Sequence, residues 1–278
     1  MILITTPNGK VGAEVTKQLL EKGVEVRVGA RTIEKAQTAF PQAHVVRFDF
    51  NDEHHVQAAL DGVDAVYLGS PGPMLAAPVT RVVDHARAAG VERVVRLSAM
   101  GIEHTDTPLR QIEQHIEKTG LQWTFLRPNW FLQNYSTTNS QTIREHQAFH
   151  EPAGNAKTSF VDVRDIAAVA VQALTKDGHL GQAYTITGPQ AYDRYQVAQA
   201  IATAIGKNVR YVPIEDAQLR ASMAALGAPE AYVELMSNLY STARAGWTEQ
   251  VTDTVQHVLG RAPITLAQFA ADYRDAWL

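Results

Sequence analysis

Short apolar runs alternate with stretches of helical period along the first half of the chain. Met1–Thr5 is apolar and ends in Thr6-Pro7-Asn8-Gly9-Lys10-Val11-Gly12, after which Val15, Leu19 and Leu20 recur at helical spacing. A strand, a turn and a helix are predicted there. Val24–Ala30, His44–Phe48, Asp64–Leu68, Arg93–Leu97 and Trp123–Arg127 repeat the apolar run. Between them lie helical stretches around Ala36 and Ala39, over Ala77–Ala89 with Val79, Val82, Val83 and Ala86 on one face, and over Thr107–Lys118. Strands alternating with helices of this length predict an α/β fold, a doubly wound parallel sheet with helices on both faces. A ligand of such a sheet lies beyond the carboxyl ends of the strands, at the point where strand order reverses. Those ends are Thr6–Gly12, Arg31, Asp49-Phe50, Gly69-Ser70-Pro71, Ser98-Ala99-Met100 and Pro128-Asn129-Trp130.

Beyond about Phe131 the pattern changes. Thr158–Val161 and Ala183–Thr187 read as strands and Val163–Leu174 as an apolar helix. From Tyr192 onward helices dominate, over Tyr195–Ile205, Asp216–Leu226, Pro229–Arg244, Val251–Leu259 and Leu266–Trp277. The pattern divides the chain into residues 1–130, which carry the sheet, and 131–278, a smaller, mostly helical C-terminal region on the substrate side, with segments near 158–190 returning to the sheet.

Bulk properties narrow the function. The chain has 278 residues, a formal net charge of -4 and no basic block, which argues against a phosphate-neutralising surface, so no nucleic acid is expected. It has no cysteine, which removes disulfides, thiolate chemistry and Cys-ligated metal. No long apolar run suggests a leader or a membrane span, and a cytoplasmic protein without membrane contact is expected. His54-His55 and the pair His104/Asp106 lack a converging third ligand, so no metal site is expected. No Gly-x-Ser-x-Gly elbow occurs.

The first turn carries the clearest chemistry. A strand feeding a helix through such a turn leaves the first helical N–H groups unpaired at the positive end of the helix dipole, where a pyrophosphate fits. The dinucleotide fingerprint asks for three glycines; Gly9 and Gly12 fill the second and third places and Thr6 stands at the first. The Thr6 side chain either narrows the approach of the phosphates or sits aside while Asn8 takes a positive φ. An NAD-selective site places a carboxylate at the end of the second strand. Here that place holds Arg31, with Lys35 one turn later. A guanidinium grips a 2′-phosphate that a carboxylate would repel, so NADP(H) is favoured over NAD(H). The same two residues also suit a solvated helix start.

Thr5–Gly12, Val26–Arg31, Phe48–Asp52, Leu60–Val66 and Gly120–Pro128 together resemble the successive signatures of the NmrA-like group of atypical short-chain dehydrogenase/reductases, nearest its NAD(P)H:quinone oxidoreductase and triphenylmethane-dye reductase type. Ser159–Ala167 and Gly181–Tyr184 extend the resemblance over nearly the whole chain. It implies a Rossmann domain, a smaller substrate-side domain, bound NADP(H), and a role as reductase or as redox-sensing regulator. It implies cofactor contacts from Thr6, Asn8, Gly9, Lys10 and Val11 in the turn, Arg31 and Lys35 at the 2′-phosphate, and Asp49-Phe50 near adenine. Leu68, Gly69, Ser70 and Pro71 would run along the ribose. The chain departs from the family pattern at Thr6, where the family has glycine.

No Tyr-x-x-x-Lys pair is present to protonate a nascent alkoxide, and Arg110, near the start of the Thr107–Lys118 helix, cannot donate a proton at neutral pH. His115 lies on that helix among polar neighbours. No catalytic residue is assigned. Ser98 is a candidate to bond nicotinamide or substrate, or a cap, and Trp130 and Phe131 are candidate walls for a flat substrate, or core anchors. The expected activity is hydride transfer from NADPH to a quinone-like or other conjugated small molecule, with solvent supplying protons. The alternative is a non-catalytic NADP(H)-binding redox sensor acting through a protein partner.

Overall fold

The computed structural model describes residues 1–72 and 75–278. The chain divides into two compact units, one formed by Met1–Pro128, Val163–Ile186 and Thr254–Arg261, the other by Asn129–Asp162, Thr187–Asp253 and Ala262–Leu278.

The first unit opens with β1 (Ile2–Ile4), α1 (Lys10–Glu21), β2 (Val26–Ala30), α2 (Ile33–Ala39), β3 (His44–Arg47) and α3 (Glu53–Leu60). It goes on through β4 (Ala65–Leu68), α4 (Ala76–Ala88), β5 (Arg93–Leu97), α5 (Pro108–Thr119) and β6 (Gln122–Pro128). The second unit then begins with α6 (Gln133–Ser136), α7 (Ser140–His146) and β7 (Ala148–Glu151). After α8 (Val163–Thr175) and β8 (Gln182–Ile186) in the first unit, the second continues with α9 (Arg194–Ile205), β9 (Arg210–Pro213), α10 (Asp216–Ala225) and α11 (Glu230–Arg244). Last come α12 (Thr254–Leu259) in the first unit and α13 (Leu266–Asp272) in the second.

Seven strands of the first unit form one parallel sheet in the order β3-β2-β1-β4-β5-β6-β8. It is a Rossmann-type doubly wound sheet. Its central strands are buried on both faces and therefore read as continuous apolar runs. Leu3, Phe48, Val56, Val66, Val79, Val83, Val94, Ile112, Ile116 and Phe125 belong to one apolar cluster. Strand order reverses at β1, which lies between β2 and β4, so a crevice is expected at the carboxyl ends of β1 and β4.

Local signals set several boundaries. Thr107 caps α5, its hydroxyl accepting the Arg110 N–H at 3.4 Å, with Pro108 at the first helical position, and Gly120 ends the helix at φ 81°. Asp193 and Gln196 form a capping box at the start of α9.

The second unit holds a parallel pair, β7 and β9, absent from the sequence reading, in which Ala148–Glu151 register with Arg210–Pro213. Its core gathers Tyr135, Phe149, Phe160, Val197, Ile201, Phe269 and Trp277. Trp277 is buried and its indole N–H donates to the Tyr135 carbonyl at 2.8 Å.

Four expectations are corrected. Thr158–Val161 forms no strand: its N–H groups go to three different segments, Thr158 to Tyr192, Ser159 to Thr248 and Val161 to Trp130, so no ladder develops. The helix expected from Val251 starts at Thr254, and the one expected over Leu266–Trp277 stops at Asp272 and ends in a 3-10 turn over Arg274–Ala276. Asn8 does not take a positive φ; among the described residues other than glycine only Gln147 does. No helix of the described residues is long and apolar enough to cross a membrane.

Candidate functional site

The turn after β1 is tied to the end of β4. The Thr5 hydroxyl donates to the Tyr67 carbonyl at 3.1 Å and accepts the Gly69 N–H at 3.1 Å. The Gly9 N–H closes the turn on the Thr6 carbonyl at 3.1 Å, and Gly9, at φ -78° and ψ 156°, is the N-cap of α1. No side chain caps this helix and no acidic residue stands in its first turn. The amides of Lys10, Val11 and Gly12 have no acceptor within the helix, and Asn8, Gly9 and Lys10 are exposed.

Neither fingerprint glycine is needed for its backbone angle, and Gly12 is needed for space. A Cβ on Gly12 would lie 2.0 Å from the Thr6 carbonyl oxygen, so Gly12 permits helix and strand to approach. A Cβ on Gly9 would meet only that oxygen, at 3.4 Å, and otherwise nothing within 4 Å. Its missing side chain leaves open the surface of the turn above the free amides. That cradle fits a dinucleotide pyrophosphate.

Further along the carboxyl edge, Arg31 directly follows β2 and Lys35 lies in the first turn of α2. Both are exposed, and among the described residues neither side chain makes a hydrogen bond or ion pair. Asp49 uses one carboxylate oxygen to accept the Asn51 N–H at 3.0 Å. The Phe50 ring is buried edge-on against Phe48, with centroids 5.0 Å apart, so it belongs to the core. Leu68 and Gly69 are buried, Ser70 is half-buried and Pro71 exposed.

Two residues of this edge escaped the sequence reading. Thr5 was counted only as strand. Arg96 was counted within the apolar run of β5, though an arginine in the middle of a central strand is itself a signal. Arg96 is wholly buried; its Nη1 donates to the Leu68 carbonyl at 3.0 Å and its Nη2 to the Ser70 hydroxyl at 2.7 Å. Burial pushes its pKa down to about 10. Burial likewise pushes the Tyr67 phenol up. Ser98, the residue directly after β5, is 8% exposed, and its hydroxyl has no partner among the described residues.

Arg110 is not poised for chemistry. It pairs with Glu113 at 3.0 Å and Glu117 at 2.9 Å. Glu113 is fully buried and also accepts Arg127 Nε at 3.1 Å and Nη2 at 2.7 Å. His115 bonds Asp84 at 2.7 Å. Among the described residues no group of three or more potential ligands is placed to hold a metal ion.

In the second unit, Trp130 is half-buried, with Tyr240 at 4.9 Å and the Arg194 guanidinium at 5.4 Å from its ring. Arg194 is itself buried and paired with Glu151 at 3.1 Å. Phe131 bridges Val161 through its backbone. Trp130 is thus partly a core anchor of its own unit.

Known proteins similar in sequence and fold place the chain in a family. The family described as NAD(P)H-binding matches residues 7–177. An NAD(P)H azoreductase of Xenophilus azovorans is 36% identical over 285 residues, covering 100% of this chain and 99% of that protein. An NADPH-dependent quinone oxidoreductase of Escherichia coli, solved with NADPH, superimposes with a TM-score of 0.86 at 26% identity, over 98% of this chain and 99% of that one. The triphenylmethane reductase of a Citrobacter species, solved with NADP(H), shares the fold with a TM-score of 0.82 at 24% identity, over 100% and 99% of the two chains. The chain belongs to the NAD(P)H-binding family and is an NmrA-like atypical short-chain dehydrogenase/reductase, an NAD(P)H-dependent oxidoreductase.

Proposed function

We propose that this enzyme uses NADPH in preference to NADH to reduce a flat, conjugated acceptor of the quinone, azo or dye class. The observation that carries the cofactor preference is Arg31, exposed and without a partner among the described residues at the end of β2, where an NAD-selective site has a carboxylate. Its guanidinium would take the 2′-phosphate as a paired, charge-assisted contact, with Lys35 adding a second positive charge.

The free amides of Lys10, Val11 and Gly12, with Thr6, Asn8 and Gly9 shaping the turn, would hold the pyrophosphate. Asp49 and the Phe50 backbone are assigned to the adenine end, and Leu68–Pro71 to the ribose. When bound, the dinucleotide supplies a hydride. Ser98 offers its unpartnered hydroxyl as a donor or acceptor on the reacting side. No residue is assigned as acid, because a conjugated acceptor spreads the incoming charge and solvent completes its protonation. The uncovered part of Trp130, beside Phe131, is the aromatic surface assigned to a flat acceptor. The named activities of the azoreductase, quinone reductase and dye reductase relatives share this kind of substrate. The cysteine-free sequence supports a reducing, cytoplasmic setting.

The test is calorimetric titration with NADPH and NADH, followed by NADPH oxidation against quinones, azo dyes and triphenylmethane dyes. Tighter NADPH binding with turnover of at least one class is expected. Equal affinity for both dinucleotides would overturn the preference, and no turnover across the panel would overturn the acceptor class.

A further inference from the structure

We infer that Arg96 is a positioning residue for the cofactor: its buried guanidinium clamps Leu68 and Ser70, and so holds the segment after β4 in the shape that the ribose side of the dinucleotide meets. The inference rests on the proposed cofactor site and deepens it.

Leu68 is the register partner of Arg96 on the neighbouring strand, so the arginine side chain reaches the last residue of β4 and the first hydroxyl beyond it. The segment is held from the other side as well. The Gly69 N–H donates to Thr5, and Gly69 has no side chain where Thr6 packs. Residues 68–70 are therefore gripped between β5 and β1, and Arg96 is the only grip on the β5 side that uses a charged group among the described residues. A planar fork with two donors fixes the position of both acceptors at once, which a single ammonium donor does not.

Two features argue that this arginine is kept for more than stability. No carboxylate lies within ion-pair distance of it among the described residues, and its Nε has no hydrogen-bond partner there. Glu113 acts on Arg96 only from beyond ion-pair distance, and a buried charge without a contacting counter-charge is costly; replacing such a group by an apolar side chain of similar volume is often neutral or stabilising. A residue kept for packing alone would be apolar. What Arg96 supplies that an apolar residue does not is a fixed geometry for Leu68–Ser70.

The variants are Arg96→Met, which fills the volume without the fork, Arg96→Lys, which keeps the charge and one donor type, and Ser70→Ala, which removes one end of the clamp. Arg96→Met is expected to keep or raise the melting temperature while weakening NADPH binding about tenfold, with Arg96→Lys recovering part of the loss. Ser70→Ala is expected to weaken binding about threefold, and the Arg96→Met/Ser70→Ala double variant no more than Arg96→Met alone, since both act through one contact. Hydrogen exchange of the amides of Gly69, Ser70 and Gly72, measured on the protein without dinucleotide, is expected to speed up about tenfold in Arg96→Met. That readout separates the clamp from the cofactor reading. Wild type that binds no dinucleotide would overturn the functional proposal, while unchanged exchange in Arg96→Met would overturn the clamp. Unchanged NADPH affinity in a folded Arg96→Met would overturn the positioning role, and if that variant does not fold, unchanged affinity and exchange in Ser70→Ala do so.

Discussion

Thr6 occupies the space that a side chain at position 69 would need: a Cβ on Gly69 would stand 1.9 Å from Thr6 Oγ1 and 2.8 Å from its Cγ2. The glycine missing from the first fingerprint place is thus matched by one at the end of the neighbouring strand. The Thr6 side chain lies between the turn and the end of β4, its Oγ1 also 3.3 Å from where a Gly12 Cβ would stand.

That relationship predicts a rescue. Gly69→Ala should destabilise the protein by about 2 kcal/mol or more, because the clash is with packed atoms that have nowhere to go. Adding Thr6→Gly should restore most of the loss, since all three nearest atoms to the added Cβ belong to the Thr6 side chain. Gly12→Ala should not be rescued by Thr6→Gly, because its clash is with the Thr6 backbone carbonyl. Urea denaturation of the five variants measures the cycle.

Arg31→Asp should reverse cofactor choice without affecting the fold. The side chain is exposed and makes no described contact, so the melting temperature should not move. NADPH affinity should fall by about ten- to a hundredfold, the worth of a charge-assisted pair, while NADH affinity holds or improves. Isothermal titration with both dinucleotides reads this directly.

Glu113 should matter for stability and Arg110 much less. Removing the carboxylate by Glu113→Ala leaves the Arg127 guanidinium, itself only 12% exposed, without its closest counter-charge, at a cost of about 3 kcal/mol. Arg110→Ala removes a partner at the margin of the network, where a pair contributes about 1 kcal/mol or less. Equilibrium urea unfolding distinguishes the two, and Arg110→Ala should retain turnover because Arg110 is tied to Glu113 and Glu117.

The α10–α11 hairpin should loosen in acid. No residue of α10 is buried, and the helix is held by Asp216, which accepts the Ser237 hydroxyl at 2.6 Å and Arg220 Nε at 2.6 Å. The Ser237 bond and then Arg220 hold the Asp216 carboxyl below its usual range. A carboxylate whose folded pKa is depressed contributes stability that is complete above the unfolded value of about 4 and is lost as pH falls through the folded value. Protection of the α10 amides, taken relative to the intrinsic exchange rate at each pH, should therefore fall on acidification below about pH 4, and Asp216→Asn should show low protection at neutral pH with less pH dependence.

The strands of the first unit were legible because each is a local apolar run bounded by Gly-Val or by a turn, and buried parallel strands carry that pattern undiluted. Thr158–Val161 read as a strand from its β-prone residues and is not one, because its amides are shared among Tyr192, Thr248 and Trp130. The β7–β9 pair stayed hidden because each strand is short and its partner lies far along the chain. At the site, glycines and a cation were readable from identity and spacing. Arg96 was not, because its meaning lies in what it touches on another strand.

The sequence by itself determined the alternation of strand and helix, the glycine-bearing turn after β1 and the cationic end of β2, since periodicity, glycine spacing and charge are properties of neighbours along the chain. Only the tertiary structure decided that Gly12 and Gly69 are there for space rather than for backbone angle, that Phe50 turns its ring into the core, and that Arg96 grips Leu68 and Ser70. Those outcomes depend on distances between residues remote in sequence, and such distances exist only once the sheet has brought its strand ends together.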